Sequence, residues 1–258
     1  MNARRPSKWR FPEVASDWER LGAPTVEPRV FDPASASHLP EPVRRWLGRA
    51  IAPGTPLKTS AEIRMHGSIR LGDWRTFQAA QRLTPSDGFV WSANANLFGM
   101  PVVGFDRYTR GSGQMRWLLL NLFPVMRGSG VDVSRSSAGR HAGELLTFVP
   151  AAALDRAVSW SRDGGERATA HLRVGSWSFD VTVTVDESGA LRELMMRRWG
   201  SIGGQPFAEH VFGASFEGEV NGDGFTVPSR VTAGWHHGTD RWGEGQFIRY
   251  EIDSIVYR

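Results

Sequence analysis

The sequence contains no cysteine. That excludes disulfides, thiolate nucleophiles, iron–sulfur clusters and cysteine-based zinc sites. Lysine is nearly missing too: Lys8 and Lys58 stand against 29 arginines. The positive excess is small, 31 Lys and Arg against 27 Asp and Glu, and arginine is interspersed with acid, as in Arg192-Glu193 and Arg249-Tyr250-Glu251. No run of five like charges occurs, so there is no electrostatic footprint for DNA or RNA and nucleic acid is not an expected partner. Long apolar runs are lacking as well. The longest, Trp117 to Met126, is broken by Asn121 and Pro124, and its ten residues are too few to span a bilayer as a helix. The N-terminal MNARRPSKWRFPEV is basic with no apolar stretch behind it. It does not read as a secretory signal, and the expected location is cytoplasmic.

What is present fits a globular chain. Apolar residues make up 40% and charged residues 22% of 258, enough to build one sizeable core. Residues 1–36 are proline-rich, with Phe11, Val14, Trp18 and Leu21 at helical spacing and Pro24, Pro28 and Pro33 in an extended connector. We read them as an N-terminal extension with a short helix, and residues 37–258 as one domain. Pro42 suits a first helical turn, and Val43, Trp46, Leu47, Ala50 and Ile51 form one face of a helix that stops before Pro53-Gly54.

The period then changes to two. Ala61, Ile63, Met65, Ile69 and Leu71 alternate with polar residues, and Gly72-Asp73 turns the chain into Trp74–Leu83. Similar stretches cover 89–97, 102–109, 114–120, 168–174, 177–185, 191–199, 212–216, 225–235 and 246–257. One helix interrupts them, from Asp132 to Val149, with Ala138, Ala142, Leu145 and Val149 on one stripe, Pro150 at its end, and Asp132 or Ser134 as the expected cap. The connections are short, so the strands pair antiparallel. The predicted fold is α+β: a large curved antiparallel sheet of about ten or eleven strands, a half-barrel wrapping a central helix, since flat sheets of that size are unfavourable.

Several segments together carry a resemblance. They are Leu39-Pro40-Glu41-Pro42-Val43-Arg44-Arg45-Trp46-Leu47, Gly88-Phe89-Val90-Trp91-Ser92-Ala93, Asp106-Arg107-Tyr108 with Gly111-Ser112-Gly113-Gln114-Met115, Ser134 to Arg140 with Gly143-Glu144, and Pro228-Ser229-Arg230 with Gly234-Trp235. From about residue 39 onward the chain resembles an uncharacterised bacterial family, domain of unknown function 6544, which supplies no activity to transfer. Its strand pattern is similar to that of the lipoprotein-carrier (LolA/LppX-like) folds. That resemblance implies a half-open barrel enclosing an apolar cavity around a helix.

Eleven Trp and fourteen Phe need a place. Trp91, Trp117, Trp177, Trp199 and Trp235 fall on strands, where they either line a cavity or fill the sheet–helix core. Arg140 and Glu144 stand one helical turn apart on the side of Phe148, opposite the alanine stripe. If both helix sides are covered, Glu144 is a semi-buried carboxylate beside an arginine and anchors a polar ligand group or acts as a general base; on a solvated face the two form an ordinary ion pair. Asp106 either faces the cavity or, by preference, pairs with Arg107 or Arg110. Arg198 either points inward, toward Glu144 or an acidic ligand, or joins a charged outer face. The Trp117–Met126 run reads as a central strand covered on both faces; the other reading is an exposed flap at the cavity mouth. His236, His237 and Asp240 form the one tight histidine group, but adjacent strand side chains point to opposite faces. With no HExxH and no Gly-x-Ser-x-Gly, neither metal nor other cofactor is expected.

The leading expectation is therefore a non-catalytic binder of an apolar small molecule or lipid. Trp91, Trp117, Phe148, Trp199 and Trp235 would supply the walls, and Arg140, Glu144 and Arg198 the polar groups. The rival is a cavity enzyme of isomerase or cyclase type using Glu144 or Asp106 as its single acid or base. A purely structural or interaction protein with a filled interior is the third.

Overall fold

The structure, a computed structural model, describes residues 11–97, 99–120 and 122–258. Most of the basic stretch read above for a leader, residues 1–10, lies outside the described residues.

Helix α1 (Pro12–Leu21) and helix α2 (Glu41–Ala50) form where the apolar spacing places them, each with proline in its first turn. The sheet begins with β1 (Ala61–Leu71), β2 (Asp73–Thr84), β3 (Gly88–Leu97), β4 (Met100–Thr109), β5 (Ser112–Leu119) and β6 (Phe123–Ser129). Helix α3 (Val131–Phe148) follows. The sheet resumes with β7 (Ser159–Arg162), β8 (Arg167–Val174), β9 (Trp177–Val185), β10 (Leu191–Gly200), β11 (Ala208–Gly222), β12 (Phe225–Trp235) and β13 (Gln246–Tyr257). All 13 strands belong to one antiparallel sheet, in the order β6-β5-β4-β3-β2-β1-β13-β12-β11-β10-β9-β8-β7. Two meanders thus lie side by side, joined where β1 pairs with β13.

The sheet stays open, because β6 and β7 are edges that do not pair with each other. Helix α3 touches β3 to β6 on one side and β8 to β10 and β12 on the other. A single sheet reaches both sides of one helix only by curling round it, and the result is the expected half-barrel. Close approach is set by small residues: a Cβ on Gly139 would sit 3.2 Å from the Arg198 side chain, and one on Gly143 would sit 3.5 Å from Leu194. Ser134 does not act as an N-cap. Its hydroxyl donates to the Gly130 carbonyl and accepts from the Gly113 amide, while Asp132 accepts from the Trp199 indole.

Two strands exceed the expected ten or eleven. One, β7, has four residues, too few for a period to register. The other, β6, comes from the Trp117–Met126 run, and here the central-strand expectation is corrected. Trp117 and Leu118 end β5 buried, the chain turns through Leu120 at φ 52°, and Phe123 to Met126 return along the sheet edge exposed. The run is apolar on both faces at Trp117-Leu118 because a second core lies outside the sheet. There α1 sets Phe11, Val14, Trp18 and Leu21 on Ala80, Val90, Val103, Phe105 and Leu118. Among the described residues no helix is long and apolar enough to cross a membrane.

Candidate functional site

Strand register assembles the floor of the site. Gln81 of β2 lies opposite Trp91 of β3, Trp91 opposite Asp106 of β4, and Asp106 opposite Met115 of β5. Residues in register share a face, so all four project toward α3. Above them α3 presents Arg140, Glu144 and Phe148, one helical turn apart. Both sides of α3 are covered, which turns Arg140 and Glu144 from surface residues into lining residues.

The polar groups form one network. Arg140 donates Nε–H to Glu144 Oε1 at 2.7 Å, Nη1–H to Asp106 Oδ2 at 3.2 Å and Nη2–H to Gln81 Oε1 at 3.4 Å. Gln81 Nε2 donates to Glu144 Oε2 at 2.6 Å, and Trp117 Nε1 donates to Asp106 Oδ1 at 3.0 Å. The Arg140 guanidinium also rests 4.6 Å from the Phe89 ring centre and 5.2 Å from that of Trp91. Burial pushes the Asp106 pKa up, against the pull of Arg140 and the Trp117 hydrogen bond. Arg140 loses stabilisation of its charge by burial and regains more from Glu144 and Asp106, so its pKa rises. Burial and then the Glu144 charge raise the Tyr250 phenol. Burial and then the Arg140 charge lower Arg198 to about 10, which leaves it a cation at neutral pH.

Two cavities meet at this network. The first, of about 240 Å³, lies between α3 and strands of both meanders, with Phe212, Phe216, Leu194, Ile248 and Tyr250 in its wall. The second, of about 270 Å³, lies under β2 to β6, walled by Phe77, Ala95, Val102, Trp117 and the exposed edge residues Val125 and Met126. Ile69, Trp91, Asp106 and Met115 belong to both. Each volume is small for a ligand site, and together they reach the range of about 300–1,000 Å³ typical of small-molecule pockets.

Of the residues singled out from the sequence, Trp91, Arg140, Glu144, Phe148, Asp106 and Arg198 line the first cavity, and Trp117 lines the second. The preferred pairing of Asp106 with Arg107 or Arg110 is corrected: Asp106 faces inward to Arg140, while Arg107 points to the other side of the sheet and pairs with Asp17 of α1. Two residues fall outside. Trp199 follows the inward Arg198 and so takes the opposite parity, its indole bonded to Asp132 at 2.9 Å and covered by Arg135. Trp235 opposes Phe212 across the β11–β12 pair, so it shares that face, and it meets the Phe212 ring edge-on with centres 5.5 Å apart without lining the cavity itself. Sequence reasoning missed Gln81 and Tyr250. Gln81 carried a signal: it is the one polar residue at inward parity among Phe77, Ala79 and Leu83. It also missed His141 of α3, buried against Phe89 and Tyr108, whose pKa burial lowers to about 3. Among the described residues no three His, Asp or Glu side chains gather as a metal site.

Solved structures similar to this chain are remote. A LolA-superfamily protein from Nitrosomonas europaea overlaps 84% of this chain and 92% of its own, at 8% identity and a TM-score of 0.41. An outer-membrane lipoprotein-sorting protein domain from Vibrio parahaemolyticus overlaps 88% and 92%, at 12% identity and 0.36. A DUF1329-family protein from Desulfovibrio piger overlaps 88% and 94%, at 12% identity and 0.39. Likeness at this level transfers neither ligand nor activity. No curated protein matches the sequence. The family model that does match spans residues 29–247, and the chain belongs to that family of unknown function, DUF6544.

Proposed function

We propose that the protein binds an apolar small molecule or lipid between the sheet and α3. The observation that carries this reading is the pair of adjoining cavities whose walls are mostly apolar and in which Asp106, Arg140, Glu144 and Gln81 converge in one network, with Arg198 beside it in the first wall. Convergent polar groups in an otherwise apolar hollow orient one end of a ligand while area burial supplies affinity. Gentle purification followed by native mass spectrometry, with a panel of lipids and apolar small molecules added back, tests it. Retained or rebound ligand supports the reading; a chain that stays empty against the whole panel contradicts it.

One observation favours a second reading, an acid/base enzyme acting on an apolar substrate. Asp106 stands in the wall of both cavities, and burial moves its pKa upward, toward the range useful for proton transfer. Ligand recovered chemically unchanged after prolonged incubation supports the binder. Turnover that disappears in Asp106→Asn supports the enzyme.

A further inference from the structure

Four charged side chains line the first cavity, and they are not equivalent. Each of the three Arg140 nitrogens donates, to Glu144, Asp106 and Gln81. Arg198 differs. It is 9% exposed, and the hydrogen bond it makes runs from Nε to the Ser136 carbonyl at 3.2 Å. Among the described residues neither of its terminal nitrogens has a hydrogen-bond acceptor, and no carboxylate pairs with it. The rings of Phe212 and Trp235, centred 4.7 Å and 5.5 Å from its guanidinium carbon, hold it at the wall. A guanidinium carries five N–H donors in a fixed fork, so most of its capacity is unused here.

A buried cation without a partner is costly, and a protein that retains one has either a bound anion or a functional reason. The two carboxylates do not remove the cost. Their charges favour the Arg198 cation, but both already accept from Arg140 and neither forms an ion pair with Arg198. Most of the rest of the first cavity's wall is apolar, Leu194, Phe212 and Phe216 among it, and the second, mostly apolar cavity adjoins at Trp91.

We propose that the ligand is a single-chain amphiphile with an anionic end, a carboxylate or phosphate, and that Arg198 receives that end through its two free nitrogens. This rests on the cavity reading above and makes it specific. The guanidinium fork matches either anion in bidentate fashion. The chain then lies along the apolar wall, and the combined volume of the two adjoining cavities accommodates one such chain.

Binding of dodecanoate, dodecyl phosphate and methyl dodecanoate, each below its aggregation concentration, tests this by calorimetry on the full chain. The expected result is at least tenfold tighter binding of one anion than of the neutral ester. Arg198→Met should abolish that preference, and Arg198→Lys should keep part of it. Equal affinity for anions and ester in the unmodified protein overturns the proposal and leaves the cavity reading standing. Failure of all three to bind overturns both. The comparison within the unmodified protein decides the matter even if an Arg198 variant does not fold.

Discussion

Arg140 and Glu144 lie one turn apart on α3 with Nε and Oε1 at 2.7 Å, yet neither behaves as a surface ion-pair partner, because Asp106 and Gln81 of the sheet close the same network from below. Arg140→Met leaves two carboxylates facing each other in a largely buried site. The expected loss is about 3–5 kcal/mol at neutral pH, the usual consequence of removing one partner from a buried charged group. The pH dependence has a definite sign. With the arginine gone, one carboxyl takes a folded-state pKa above its unfolded value, so that group's stability is present at low pH and lost as pH rises through the raised pKa. The deficit of the variant relative to the parent should therefore shrink from pH 8 to pH 5 in urea unfolding curves. A deficit that is flat or grows toward pH 5 contradicts the shared-site description.

His141 supplies acid sensitivity to the parent protein. Buried against the Phe89 and Tyr108 rings, it has its pKa lowered to about 3 in the folded chain, against about 6.5 in the unfolded chain. Below the unfolded value the unfolded chain takes up a proton that the folded chain refuses. Stability is complete above about pH 6.5 and falls progressively as pH drops toward the folded pKa, by ~1.4 kcal/mol per pH unit. His141→Phe keeps an aromatic ring in the site and removes the titration. Thermal melts from pH 7 to pH 4.5 should show a shallower decline for the variant; parallel declines exclude His141 as the source.

Trp18 joins the N-terminal segment to the sheet. It is 1% exposed on the outer face, under the Arg82 guanidinium, which also donates to its carbonyl at 2.8 Å. Trp18→Ala should cost about 3–5 kcal/mol, as large-to-small changes in a packed core do. Dye binding to the uncovered Phe105, Val90 and Leu118 should rise with it. A loss below about 1 kcal/mol would mean that α1 rests on the sheet without stabilising it.

Phe123 provides the contrast. It begins the edge strand β6 and is 61% exposed. Phe123→Ser should change unfolding free energy by less than about 0.5 kcal/mol, the ordinary range for an exposed position. A loss comparable with that at Trp18 would restore the description of residues 117–126 as an internal strand.

Much of this architecture is legible in the residues, and the exceptions share a cause. Alternation at Ala61–Leu71 and along β8 to β10 announces strands because one face of each meets a core and the other meets water. On β3 and β4 that contrast vanishes. Val90, Val103 and Phe105 face α1 while Trp91, Val102 and Tyr108 face the main core, so both parities look apolar. Asp106 therefore had no readable direction, and its inward aim appears only once β4 is set in register against Trp91. Arg140 and Glu144 were legible as a pair from their spacing, but their burial depends on a sheet curling round the helix from both sides, a property of no local segment. Trp199 and Trp235 show the converse: an aromatic on a strand is as readily a helix contact or an edge-on partner of a lining ring as a cavity wall.

The seam between the two meanders has a kinetic consequence. Every other strand pairing joins neighbours along the chain, closing short hairpin loops. Only β1 with β13 joins opposite ends of the strand series, Ala61 against Tyr257. Closing that loop carries the largest entropic penalty in the molecule, and its reward arrives only after both meanders exist. Each half should therefore gain hydrogen-exchange protection among its own hairpins before the amides along the seam do.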